Sequence, residues 1–139
     1  MRLHNSLPTA LLIICLIAAP LLAHHSVAAT FDASQAMTIQ GTITKVEWNN
    51  PHVWIDINVK APDGTIIAWH VQLAATGALV RAGFEKSFID FSKSFSMQVW
   101  PAFDGSKHAS GRTLTLSDGR TFDVSDKWPD RPAANPPAK

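Results

Sequence analysis

Apolar and polar residues alternate with a period of two over most of residues 37–124, the pattern of half-buried strands. Met37, Ile39, Gly41 and Ile43 alternate with Thr38, Gln40, Thr42 and Thr44. The apolar phase then slips to Val46 and Trp48, which predicts a bulge near Thr44-Lys45. Asn49-Asn50-Pro51 marks a turn, because proline lacks a donor and pushes the residue before it to an extended conformation. In the next strand Val53, Ile55, Ile57 and Val59 share one face, and His52, Trp54, Asp56, Asn58 and Lys60 share the other. Pro62-Asp63-Gly64 is a turn. The strand after it sets Ile67, Trp69, Val71 and Leu73 inward, with Ile66, Ala68, His70 and Gln72 outward. A hairpin that keeps both apolar faces together places Val59 opposite Ile67, Ile57 opposite Trp69 and Asp56 opposite His70.

Thr76 is placed to cap a short helix over 77–82, ended by Gly83. A loop with Phe84, Phe88 and Phe91 leads to a strand around Phe95, Met97, Val99 and Pro101. Residues 104–111 read as a loop, and 113–116, Ser117-Asp118-Gly119 and 120–124 as a last hairpin. Three strands, a short helix, then two or three strands is the order of a mostly β, OB-like barrel of five to six strands with one short helix. A small β-sandwich fits the strand pattern nearly as well.

The first residues bear on the compartment. Arg2 is followed by an uncharged apolar stretch over 7–19, then Pro20 and Leu21-Leu22-Ala23, which reads as a secretory signal peptide with cleavage after Ala23. The expected organisation is a cleaved signal peptide over 1–23, an irregular lead-in over 24–36, a barrel over 37–125 and a disordered Pro-rich tail over 126–139. The expected location is the periplasm. Cleavage removes Cys15, the one cysteine, so neither disulfides nor thiolate metal sites are available to the mature chain. Losing Arg2 lowers Lys+Arg from 12 to 11, against 11 Asp+Glu. A chain so balanced, with no basic stripe, points to no nucleic-acid partner and no membrane surface after cleavage.

That cleavage also creates the sharpest chemical feature. His24 would carry a free α-amino group and an imidazole, two nitrogens that can close a chelate, with His25 adding a third donor. Both groups deprotonate near neutral pH, and Cu(II), which heads the divalent affinity order and favours tetragonal nitrogen–oxygen sets, is the expected ion. The plainer reading is a solvated chain end, and cleavage after Ala28 or Ala29 would discard both histidines. His52 begins the second strand beside Trp54 and Asp56, either as part of a ligand platform or in local hydrogen bonds at the Asn50-Pro51 turn. His70 meets Asp56 across the hairpin, an arrangement also expected of an ordinary cross-strand pair. His52 and His70 cannot share an ion in this register, since four residues separate their levels by roughly 13 Å at about 3.3 Å per residue. The metal set read from the sequence is therefore His24, His25 and His52, with Trp54, Asp56 and His70 as a ligand face. His108, in a Gly-Ser-rich segment, is given no role.

Enzyme templates do not fit: there is no Gly-x-Ser-x-Gly elbow, phosphate loop or HExxH, and Tyr is absent. Binding rather than catalysis is the expectation, of a metal ion or of a periplasmic peptide, polysaccharide or protein. The stretches His24-His25-Ser26-Val27-Ala28-Ala29, Phe31-Asp32, Gly41 through Trp48, Asn50-Pro51-His52-x-Trp54 and Trp69 resemble a bacterial family of small exported proteins of unknown function. Val27 departs from the phenylalanine usual there, 85–94 lacks the expected turn, and His70 lies outside the motif. The resemblance implies export and a compact β domain, and no particular ligand.

Overall fold

A computed structural model describes residues 27–126. The segment 1–23 expected to be a signal peptide, His24, His25 and residues 127–139 of the expected tail lie outside the described residues. Six strands form, β1 (Met37–Glu47), β2 (Trp54–Lys60), β3 (Ile66–Gln72), β4 (Ser94–Pro101), β5 (His108–Thr115) and β6 (Thr121–Asp123). Their order is β3-β2-β1-β4-β5-β6, and an added parallel pairing of β3 with β5 shuts the first five into a barrel. β6 extends the sheet as a hairpin on β5. This is the OB-like barrel that the strand order predicts, with a short helix between β3 and β4.

The β2–β3 register agrees with the alternation residue for residue, pairing Val59 with Ile67, Ile57 with Trp69 and Asp56 with His70. The inward row is dry: Val53, Ile55, Ile57 and Val71 are buried. The bulge in β1 falls between Ile43 and Lys45, where the apolar phase slips. Gly41 lies in the stretch of β1 bonded to both neighbours, opposite Val59 on β2 and Phe95 on β4.

Three expectations are corrected. The lead-in is not irregular over its described part: α1 (Val27–Thr30) and a 3-10 turn (Ala33–Gln35) form, and Phe31 bridges to Ala102. Val27 and Phe31 are buried with Ala102 against Trp100, and that apolar contact orders the segment. Residues 108–111 are not loop but the start of β5. Its inward positions there are only Ala109 and Gly111, so no large apolar residue marks it. Gly111 has no room for a side chain because Leu73 and Met97 fill the space: a Cβ there would meet Leu73 Cδ2 at 2.5 Å and Met97 Sδ at 3.0 Å.

The third correction concerns the cap of α2 (Thr76–Arg81), whose N-cap residue is Ala75 and makes no side-chain cap. The cap comes from across the chain. Asn50 Oδ1 accepts from the Thr76 amide at 3.2 Å and from the Thr76 hydroxyl at 2.9 Å, binding the β1–β2 loop to the helix start. Asn50→Ala is expected to lower stability by about 1 kcal/mol, the usual worth of a cap. Urea unfolding should show a lower midpoint at unchanged slope.

Candidate functional site

Strand alternation gives the barrel an outer wall. Register partners point to the same side of a sheet, so two rows run around it. One joins Asp56, His70 and His108 across β2, β3 and β5. The other joins Trp54, Gln72, Ser110 and Trp100. The first row continues into the lead-in, because the Ala102 amide donates to the His108 carbonyl at 3.0 Å and Ala102 bridges to Phe31.

His70 is the hub of the wall. Its ring stacks on Trp54, with centroids 4.4 Å apart and planes within 8°. Its Nδ1 lies 2.6 Å from Asp56 Oδ1. A carboxylate only accepts, so Nδ1 carries the proton of the neutral ring, and Nε2 presents its lone pair, with no hydrogen-bond partner among the described residues. The His108 ring sits 5.4 Å from that of His70, tilted by 56°. The two backbones are locked as well, the His70 amide donating to the Lys107 carbonyl at 2.9 Å. On the second row the Arg112 guanidinium lies 3.9 Å from the Trp100 ring centre. Partial burial holds Arg112 below its ordinary pKa, and the charge of Asp123 opposes that shift.

His52 stands apart from this cluster. Its Nδ1 is buried and faces Asp126 Oδ2 at 3.6 Å, too far for a hydrogen bond, so that nitrogen has no hydrogen-bond partner among the described residues. Of the residues singled out in the sequence, the structure brings Trp54, Asp56 and His70 together. It leaves His52 on its own, and His24 and His25 fall outside the described residues. It adds His108, which the sequence hides because β5 opens on small residues. Among the described residues no three His, Cys, Asp or Glu side chains are grouped so as to hold a metal ion.

A groove of about 350 Å³ runs between the Lys86–Phe88 turn and the β5–β6 hairpin. Its rim cation Arg120 is paired with Asp118 at 2.8 Å and lies over Phe88, so charge and ring satisfy each other there.

Fold and wall together define a small OB-like barrel with an aromatic and imidazole face on strands 2, 3 and 5. The chain belongs to a family of unknown function, DUF6152, whose model matches residues 12–111. No curated protein and no solved structure matches it.

Proposed function

We propose that the protein is exported to the periplasm and binds a late transition metal, Cu(II) first, through the mature N-terminal histidines, as a carrier, buffer or sensor rather than an enzyme. The observation that carries this reading is the docking of Val27 and Phe31 against Trp100 and Ala102. This anchors the lead-in on the wall that carries His70 and His108. His24 stands three residues before Val27, so the α-amino group after cleavage at Ala23 lies within about 10–11 Å of chain of that anchor. Imidazole and amine nitrogens suit Cu(II), Ni(II) and Zn(II). The buried Nδ1 of His52, which makes no hydrogen bond among the described residues, supports its place as an additional ligand. Because the described residues hold no grouped set of three donors, the N-terminal nitrogens are essential to this reading.

The test is a Cu(II) titration with paramagnetic resonance on exported protein whose intact mass shows His24 at the terminus. A parallel sample carries one extra alanine before His24. A nitrogen-ligated Cu(II) whose affinity falls at least tenfold in the extended sample is the expected result. Equal binding by both samples, no binding, or a mass showing cleavage beyond His25 would overturn it.

A second reading is supported by the Trp54–His70 stack, which with Asp56 offers a flat ring and a carboxylate to a peptide, polysaccharide or protein partner. In that reading no metal is needed, and the extra alanine changes nothing.

A further inference from the structure

We infer that His70 and His108 form a second metal site, carried by the barrel itself and needing neither His24 nor His25. It goes beyond the N-terminal reading and stands on described residues alone. The two imidazoles project side by side from neighbouring parallel strands, as register partners. With metal–nitrogen bonds of about 2.0–2.1 Å and a ring centre about 1.1 Å behind its nitrogen, two imidazoles on one ion have centres about 4.5–6.4 Å apart. The observed 5.4 Å falls inside that window.

Three contacts prepare His70 for this role. Asp56 holds the proton on Nδ1 and leaves Nε2 as the ligating nitrogen, the carboxylate–histidine arrangement that orients metal-bound imidazoles and raises their basicity. The Trp54 ring, parallel to His70, fixes its plane. The bond from the His70 amide to the Lys107 carbonyl fixes the spacing of the two strands where the pair stands. Both residues are open enough to water for solvent to fill the remaining positions: the His70 side chain is 38% exposed, and His108 is exposed. A structural pairing alone accounts for Asp56 and Trp54 around His70. It does not account for a second imidazole 5.4 Å away on the register-partner position of the neighbouring strand. Two nitrogens completed by water suit the tetragonal nitrogen–oxygen preference of Cu(II).

The experiment uses the full exported chain with His24→Ala and His25→Ala together, which removes the N-terminal imidazoles, titrated with Cu(II) and read by calorimetry and paramagnetic resonance. This variant is expected to bind one Cu(II) with two-nitrogen superhyperfine structure. Adding His70→Ala or His108→Ala should weaken binding at least tenfold. Adding Asp56→Asn should weaken it about tenfold, the lower end of the usual second-sphere effect, whereas His52→Ala should leave it unchanged. Circular dichroism identifies any variant that has failed to fold, and His108→Gln, close in size on an exposed position, replaces His108→Ala in that case. No Cu(II) binding by the double variant, binding indifferent to His70 and His108, or binding lost with His52 alone would overturn the inference. The N-terminal proposal is judged separately, by the added alanine on the wild-type chain.

Discussion

Phe84→Ala is expected to lower the unfolding free energy by about 3–5 kcal/mol, the range for removing a fully buried aromatic side chain. Phe84 is 1% exposed. Its ring lies 5.3 Å from Phe122, 6.0 Å from Trp48 and 6.4 Å from Phe88, so it joins the end of β1, the Phe-rich segment and β6. The backbone delivers it there. Gly83 takes a left-handed φ of 81° just past the helix and donates to Val80 at 3.0 Å, while the Phe84 amide donates to Leu79 at 2.9 Å. These are the two bonds of a Schellman ending, and the buried pair Phe84 and Leu79 supplies its hydrophobic contact. Alanine keeps the turn and empties the space. For a domain with about 5–15 kcal/mol in all, such a loss is a large fraction of the total. Urea titration followed by tryptophan emission should show the midpoint falling steeply; a change under 1 kcal/mol would mean the three rings close over the gap.

Gly41→Ala is expected to cost about 3 kcal/mol or more, from a single added methyl. Here the obstacle is main chain. A Cβ on Gly41 would lie 2.2 Å from the Asn58 carbonyl oxygen and 3.1 Å from Ile57 Cγ2. Overpacking a core typically costs about 1–3 kcal/mol when side chains can give way. At Gly41 the neighbouring strand itself must move, and β1 is bonded on its other side to β4, so neither strand moves freely. Thermal unfolding of Gly41→Ala beside Gly77→Ala, where the nearest atom is the flexible Arg81 guanidinium at 3.4 Å, separates this effect from the general consequences of replacing glycine. A Gly41→Ala melting point within a degree or two of the wild type would show that the barrel flexes there.

How legible each part of the fold is in the sequence follows from how local its cause is. The β2–β3 hairpin is legible because unbroken alternation on both strands and the turn at Gly64 leave one register that buries both rows, and Asp56 opposite His70 comes with it. The bulge in β1 is legible as a slip of phase. Two features are hidden because their causes lie far along the chain. The first inward residues of β5 are Ala109 and Gly111, the latter kept bare by Leu73 and Met97, so the strand opens without the bulky inward residues by which strands are recognised, and His108 passes for a loop residue. The helix cap resides in Asn50, 26 positions before Thr76, where no local capping pattern reaches. The docking of Val27 and Phe31 is likewise set by its receiving surface, Trp100 and Ala102, rather than by periodicity.

The barrel wall is not equally thick all round. The parallel ladder of β3 on β5 runs only from His70 to Gln72 against His108 to Ser110, about half the length of the ladders between the other barrel strands. His70 and His108 stand on the two banks of that short join, about forty residues apart in sequence. An ion gripped by both imidazoles would staple the barrel shut at its narrowest seam, cross-linking distant chain segments as a disulfide does. With a single cysteine, Cys15, the chain has no pair of thiols with which to make an internal covalent bridge. Occupancy at that seam would then set not only what the protein carries but how firmly the barrel stays closed.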